Sequence, residues 1–133
     1  MISGVADTHT ALWHLFDDPR LSLTAAQFID QAASSRNRII VSSISLAEVL
    51  YLVEKGRIPH SAYDELKIAL ADSDHVLKEA PFTLEIVDAM RRVPRGQVPE
   101  LPDRIVAATA VYFAVPVISC DKRIQSSIIP TVW

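Results

Sequence analysis

Four acidic side chains stand at points of the sequence where short apolar runs end or helical patterns begin: Asp7, Glu48, Asp103 and Asp121. Carboxylates gathered in one pocket repel each other unless protons or a cation neutralise them. Oxygen-only ligands favour hard ions such as Mg²⁺ or Mn²⁺, which bind through a few carboxylates plus substrate phosphate. This set therefore indicates metal-assisted phosphodiester chemistry, which requires no serine or cysteine nucleophile.

Each of these acids also has a purely structural interpretation. Ser45 and Glu48 have the spacing of a capping box, in which the Glu reaches back to the helix cap. Asp103 would favour the positive end of a helix dipole, and Asp7 and Asp121 would form turns after strands. If each acid had only its structural role, all four would lie at one edge of one sheet by chance. Their expected coincidence at that edge therefore favours a metal pocket.

The apolar pattern alternates between short runs typical of strands and longer segments with helical spacing. It predicts strands at 2–6, 38–42, 76–77 and 116–120, and helices at 10–16, 22–35, 45–55, 61–71, 84–93 and 103–114. Such alternation implies a parallel sheet with helices on both faces. We expect an α/β fold with three layers, α/β/α, around a central, mainly parallel sheet of four to five strands.

This fold would bring the acids together. Open parallel sheets bind ligands outside the carboxyl ends of their strands, where Asp7 and Asp121 are expected. Glu48 comes six residues after the predicted strand that ends at Ser42, so it faces the same edge. Asp103 opens a helix behind Pro102, and its carboxylate would join them.

Composition limits the remaining possibilities. Half of the 133 residues are apolar and 22% are charged, which is typical of a folded soluble protein and excludes intrinsic disorder. No Gly/Ser/Pro-rich linker divides the chain, so one domain over residues 1–133 is expected. The start lacks the pattern of a secretory signal, and the longest uncharged run, 105–120, is too short to span a membrane. A single cysteine, Cys120, fits a reducing cytoplasm and excludes an internal disulfide.

The net charge of -3, from thirteen Lys and Arg against sixteen Asp and Glu, argues against a broadly basic nucleic-acid binder. Leaving aside the four acids of the predicted pocket, however, twelve acids remain against thirteen basic residues. Divalent ions bound to the pocket would make it attract phosphate.

The acids lie in sequence blocks that together resemble a known family. The blocks are Ala6-Asp7-Thr8-His9-Thr10-Ala11-Leu12-Trp13, Val41-Ser42-Ser43-Ile44-Ser45-Leu46-Ala47-Glu48, Lys55-Gly56-Arg57-Ile58, Pro102-Asp103-Arg104-Ile105-Val106-Ala107-Ala108-Thr109-Ala110 and Ser119-Cys120-Asp121-Lys122-Arg123-Ile124. In these blocks the chain resembles the PIN-domain ribonucleases, and specifically the VapC-type toxins of toxin-antitoxin pairs. The resemblance covers nearly the whole chain.

The resemblance implies a Mg²⁺- or Mn²⁺-dependent endoribonuclease whose acidic quartet is Asp7, Glu48, Asp103 and Asp121. Asp7 and Asp103 would be the most direct metal ligands. Asp121 would complete the pocket directly or through water, and Glu48 would orient a water or hold a second ion. Hydrolysis by metal-activated water would leave a 5′-phosphate and a 3′-hydroxyl.

Five further residues near the quartet are candidates for auxiliary roles, and two of them, Ser119 and Glu100, stand at positions that the resemblance matches. Ser119 would donate a hydrogen bond to a ligand carboxylate. Glu100 stands where the family often has an additional Asp, and it is assigned an auxiliary role. Arg104 would either pair with a neighbouring acid or reach an RNA phosphate. Lys122 and Arg123 would either contact phosphate or form an ordinary solvated surface.

The resemblance also implies partners: an RNA substrate, a cognate VapB-type antitoxin and a second copy of the chain in a homodimer. The aromatic and apolar residues of the first and third helices, Trp13, Phe16, Leu50 and Tyr51, are expected mainly in the core. Exposure of these residues would instead mark an interface with the antitoxin or the second copy.

Two alternatives compete with a nuclease. A catalytically inert PIN-fold binding module would keep the fold and bind no metal, although no member of the quartet is missing. A phosphate-accepting signalling domain would carry paired acids beside the first strand, whereas Asp7 stands alone and Ser42-Ser43 follows the second strand.

Overall fold

The five strands form one parallel sheet. The structure, a computed structural model, describes residues 1–133. The strands are β1 Ile2–Ala6, β2 Arg38–Ser42, β3 Leu77–Ala80, β4 Val117–Ile118 and β5 Thr131–Val132. Their order in the sheet is β3-β2-β1-β4-β5, and every neighbouring pair is parallel. The expected sheet is therefore confirmed, with the first strand in its centre.

Seven helices cover the sheet. They are α1 Thr8–Leu15, α2 Leu23–Ser34, α3 Ser43–Glu54, α4 Ser61–Ala71, α5 Leu84–Ala89, α6 Leu101–Phe113 and α7 Lys122–Gln125, with a 3₁₀ turn, Met90–Arg92, continuing α5. No helix is long and apolar enough to cross a membrane.

The alternation of side chains along the strands divides the core into two halves. Val5 and Val117 face one side and pack with α5, α6 and α7. Their neighbours Ala6 and Ile118 face the other side and pack with α1 to α4. Because successive strand residues point to opposite faces, one sheet supports both clusters. This confirms the expected three-layer α/β/α arrangement.

Close packing around the central strand, β1, fixes the position of its carboxyl end. A side chain at Gly4 would place its Cβ 3.1 Å from Cε1 of Phe28 and 3.3 Å from the carbonyl oxygen of Pro116. Glycine therefore lets β1 lie this close to α2 and to the segment that enters β4 without displacing either.

Several helix boundaries differ from the sequence prediction for local reasons. α1 begins at Thr8, two residues early, because the Asp7 side chain caps it. α3 begins at Ser43 because Ser42 is its N-cap. α6 begins at Leu101, with proline in its first turn, a position where the missing N–H costs no hydrogen bond. The sequence pattern does not predict the short elements α7 and β5.

Candidate active site

Asp7 lies at the carboxyl end of the central strand and is held from two sides. Its Oδ1 accepts a hydrogen bond from the backbone N–H of Thr10 at 2.9 Å, so one oxygen caps α1. Its Oδ2 accepts a hydrogen bond from the hydroxyl of Ser119. Asp7 therefore has the predicted turn-forming role, which uses only Oδ1. Both carboxylate oxygens keep lone pairs that are free to accept further bonds.

Ser119 connects two of the predicted acids. It is fully buried, and while its hydroxyl donates to Asp7, it accepts a hydrogen bond from the backbone N–H of Asp121 at 3.0 Å. Oδ1 of Asp121 in turn accepts from the N–H groups of Arg123 and Ile124, at 2.8 and 3.2 Å, and caps α7. The hydrogen bond expected from Ser119 to an acid of the quartet is thus present in the structure.

Glu48 reaches the site from α3. The capping-box interpretation of Ser45 and Glu48 is wrong, because the hydroxyl of Ser42 accepts from the N–H of Ile44 at 3.2 Å and starts the helix earlier. Glu48 therefore lies in the second turn. Its Oε1 accepts a hydrogen bond of 2.6 Å from the hydroxyl of Thr8.

Thr8 is a site residue that the sequence interpretation missed. Its side chain is buried, and its Oγ1 lies 3.0 Å from Oγ of Ser45 as well as contacting Glu48. Its place directly after Asp7 was the only sequence signal, since its partner is 40 residues away along the chain. Thr8 thus positions Glu48 as Ser119 positions Asp7.

Asp103, the third residue of α6, is the acid most affected by the others. Its carboxylate makes no hydrogen bond, and its pKa is raised to about 6. Burial is the largest cause, followed by the charges of Asp121, Glu48, Asp7 and Glu100 in decreasing order. All three other members of the quartet therefore act on Asp103 at close range.

The quartet lines one cavity of about 180 Å³, together with four neighbours: Thr8, His9, Val106 and Cys120. Burial, and next the charge of Asp7, raise the pKa of the Cys120 thiol, so this cysteine stays protonated and is unsuited to act as a nucleophile. Glu100 does not line the cavity. It is exposed at the N-terminus of α6 and acts on the site through its charge.

Arg104 does not form the ion pair with a neighbouring acid that was one of its two expected contacts. Its Nη2 donates to the backbone carbonyls of Met90 and Val93, at 2.8 and 3.1 Å. Its Nε is buried without a partner. The guanidinium therefore joins α6 to the 3₁₀ turn and to the residue that follows it.

The donor set suits a hard divalent cation, because the charged groups that line the cavity are carboxylates. Both oxygens of Asp103 are free, Asp7 keeps lone pairs, and Oε2 of Glu48 makes no hydrogen bond. No three His, Cys, Asp or Glu side chains converge closely enough to hold an ion as they stand. Binding an ion would therefore require small rotations of the carboxylates toward one another.

A second, larger cavity adjoins the acidic one. It has a volume of about 620 Å³, and His9 lines both cavities. Its walls come from α1, the segment 16–20, α3, the segment 57–59 and α4. The lining is mostly apolar but includes three charged residues: Asp18, Arg20 and Arg57. The Trp13 ring lies 5.6 Å from the ring of His9, 5.9 Å from that of Trp133, and under the guanidinium of Arg20 at 5.0 Å.

The expectation that the apolar residues of α1 and α3 are mainly core is wrong for three of them. Phe16 is 42% exposed, Leu50 39% and Tyr51 58%, while Trp13 is half-buried. This exposure marks the surface as an interface candidate, the second interpretation given above.

Comparison with known proteins agrees with the site. The PIN domain profile matches residues 5–127. The chain is similar to the ribonuclease VapC22 of Mycobacterium tuberculosis, with 28% identity over 136 residues and complete coverage of both chains. It shares its fold with VapBC2 of Rickettsia felis bound to promoter DNA (TM-score 0.71, 18% identity) and DNA-bound VapBC of Salmonella typhimurium (TM-score 0.72, 16% identity). Each comparison covers 98% of this chain and 97% of the other.

The profile match extends from the central strand to α7 and includes all four acids of the quartet. The resemblance that the sequence blocks indicated is therefore confirmed. The chain belongs to the PIN-domain family.

Proposed function

We propose that this protein is a divalent-metal-dependent endoribonuclease toxin that a VapB-type antitoxin neutralises. The observation that carries the proposal is the convergence of four carboxylates, which together with burial raises the pKa of Asp103 to about 6. A similar protein is named a ribonuclease, and toxin-antitoxin complexes share the fold. The single cysteine is consistent with action on RNA in a reducing cytoplasm.

Asp7 and Asp103 would bind the ion most directly, with Asp121 beside them. A bound Mg²⁺ or Mn²⁺ would polarise the phosphoryl oxygen and lower the pKa of water. Ser119 fixes Asp7 through its hydroxyl, and Thr8 fixes Oε1 of Glu48. Oε2 of Glu48 remains free to accept a hydrogen bond from the attacking water.

The larger cavity is the proposed docking site for the antitoxin. Its apolar lining suits an apolar segment of a protein partner, and its shared wall at His9 places such a segment next to the acidic pocket. Occupation of this cavity would therefore block access of RNA to the quartet.

A homodimer is the remaining part of the proposal. Leu50, Leu84 and Leu101, on three different helices, are exposed and available for contact with a second copy. Light scattering coupled to size exclusion will give twice the mass of the chain if they form such an interface. A monomer mass would contradict this part alone.

Incubation of the purified protein with structured RNA tests the activity. We expect cleavage with Mg²⁺ or Mn²⁺, none with EDTA, and 5′-phosphate ends. Asp7→Asn should abolish cleavage, whereas the matched change Asp88→Asn, at an exposed position on α5, should not. Cleavage that persists in EDTA or in Asp7→Asn would contradict the mechanism. Absence of both cleavage and calorimetric metal binding would instead identify an inert PIN-fold binding module.

A further inference from the structure

A third cavity is lined in part by residues that directly follow Asp121, and no hydrophobic side chain lines it. We call it the basic cleft. It has a volume of about 430 Å³ and is lined by Gly96, Gln97, Lys122, Arg123 and Ser126. Lys122 and Arg123 directly follow Asp121, which lines the acidic pocket. The linings of the two cavities are thus consecutive in the sequence where α7 begins.

The two cations of the basic cleft are free. The only ion pair in the structure joins Arg20 and Asp18, so neither Lys122 nor Arg123 is neutralised by an acid. Both side chains are exposed. The neighbouring carboxylate of Asp121 accepts the backbone N–H of Arg123 and makes no contact with either charged head group.

The walls of the basic cleft are fixed to each other by backbone and amide hydrogen bonds. Oε1 of Gln97 accepts from the N–H of Ile128 at 2.9 Å, which joins the segment after the 3₁₀ turn to the segment after α7. The carbonyl of Pro94 accepts from the N–H of Gln97 and of Val98, both at 3.0 Å, and closes the turn that carries Gly96. The cleft is thus built from two segments that are held together.

The lining selects one class of ligand. Two free cations, a hydroxyl and an amide suit phosphate oxygens, whereas the cleft has no aromatic ring for a base and no apolar wall for a peptide. We propose that the basic cleft binds the sugar-phosphate backbone of the RNA substrate beside the scissile bond. The proposal rests on the ribonuclease function, and it assigns Lys122 and Arg123 as residues that position the substrate.

The test replaces both cations with a neutral polar side chain. Lys122→Gln/Arg123→Gln is compared with Lys67→Gln/Lys78→Gln, an equal change of charge at exposed positions on α4 and on the opposite edge strand β3. Binding of a fluorescein-labelled single-stranded RNA is measured in EDTA, so that no metal-dependent cleavage occurs. Cleavage of the same RNA is then followed with Mg²⁺ or Mn²⁺.

We expect the first variant to bind RNA about tenfold more weakly at 0.1 M salt. The slope of log K against log salt should decrease by about 1.4, as two phosphate contacts to a single strand predict. KM should rise with kcat unchanged, and Lys122→Arg/Arg123→Lys should restore binding. The Lys67→Gln/Lys78→Gln control should bind as the wild type does.

Equal RNA binding by the variant and the control would overturn the proposal. So would a loss of antitoxin binding with RNA binding intact, since the cleft would then serve a protein partner. The wild type could also bind RNA without cleaving it, with only the Lys122→Gln/Arg123→Gln variant losing this salt-dependent binding. In that case the basic cleft stands as an RNA-binding site and the ribonuclease function fails. Circular dichroism of each variant checks that it is folded.

Discussion

The acidic pocket and the larger apolar cavity share His9, yet they are built in opposite ways. The acidic pocket holds about 180 Å³ and takes its four acids from segments spread over residues 7–121, two of them fixed by buried hydroxyls. The apolar cavity holds about 620 Å³ and is lined largely by consecutive turns of α1 and its neighbours. The proposed roles require this difference, because catalysis needs atoms in fixed positions and the docking of a partner needs surface area.

The comparison predicts that substitutions in the acidic pocket affect cleavage and that substitutions in the larger cavity affect antitoxin binding. We expect the largest effect from a substitution in the acidic pocket. Asp7→Asn removes one charge from the proposed metal site, and metal binding contributes several kcal/mol to catalysis. We expect cleavage to fall by roughly 10³-fold while antitoxin binding stays unchanged. Single-turnover cleavage and calorimetric titration with the antitoxin measure the two effects. A parallel loss of antitoxin binding would mean that the cavities are not separable.

Trp13→Ala should weaken antitoxin binding and leave RNA cleavage almost unchanged. Large aromatic side chains that fill an interface cavity contribute about 2 kcal/mol or more, so we expect the antitoxin to bind roughly 30-fold more weakly. Cleavage by the free protein should change little, because Trp13 does not line the acidic pocket. Tyr112→Ala, another exposed aromatic on α6, is the matched control. Unchanged antitoxin affinity in Trp13→Ala would place the docking surface elsewhere.

Thr8→Val sharpens the comparison within the acidic pocket, because it removes the hydrogen bond to Glu48 while keeping the shape of the side chain. Partners that orient ligand side chains typically contribute ten- to 100-fold, and we expect roughly a tenfold loss of activity or metal affinity. Thr8→Ser should retain activity. Full activity in Thr8→Val would show that Glu48 needs no such support.

The smallest effect concerns stability. The pKa of Asp103 is about 6 in the folded protein against 3.8 for a free aspartate, so folded protein binds this proton more tightly. Ionisation therefore lowers stability as pH rises from about 4 to about 6. In EDTA at pH 7, Asp103→Asn should be more stable than wild type by about 1 kcal/mol after allowance for solvent screening.

The gain from Asp103→Asn should disappear below about pH 4, where the wild-type carboxyl is protonated in both states. Urea denaturation at several pH values measures it, with Asp88→Asn as the control. A gain that does not depend on pH would show that neither burial nor the neighbouring charges raise the pKa of Asp103.

Strand ends were readable from the sequence because their signal is local. Apolar runs that stop at an acid placed Asp7 and Asp121 correctly, and alternation with helical segments predicted the parallel sheet. Glu48 was assigned to the right edge, although its structural explanation by capping was wrong because Ser42 starts the helix three residues earlier. Whether the four acids are catalytic stays a prediction.

Side-chain contacts between residues that are distant in the sequence cannot be predicted in the same way. The contact of Thr8 with Glu48 and that of Arg104 with the carbonyl of Met90 depend on how helices pack, which no short pattern encodes. The exposure of Tyr51 also depends on packing, since helical periodicity shows that a face is apolar but not what covers it. The elements α7 and β5 are too short to produce a periodic signal.

The hydrogen bond from Ser119 to Asp7 joins residues 112 positions apart, and this separation affects when the pocket can exist. During synthesis the central strand emerges early, but its partner β4 and the hydroxyl that holds Asp7 follow more than a hundred residues later. Contacts of such long range also form late in folding, because closing the intervening loop costs entropy first. A nascent chain therefore carries no assembled quartet until β4 and Asp121 have been made and the fold is nearly finished.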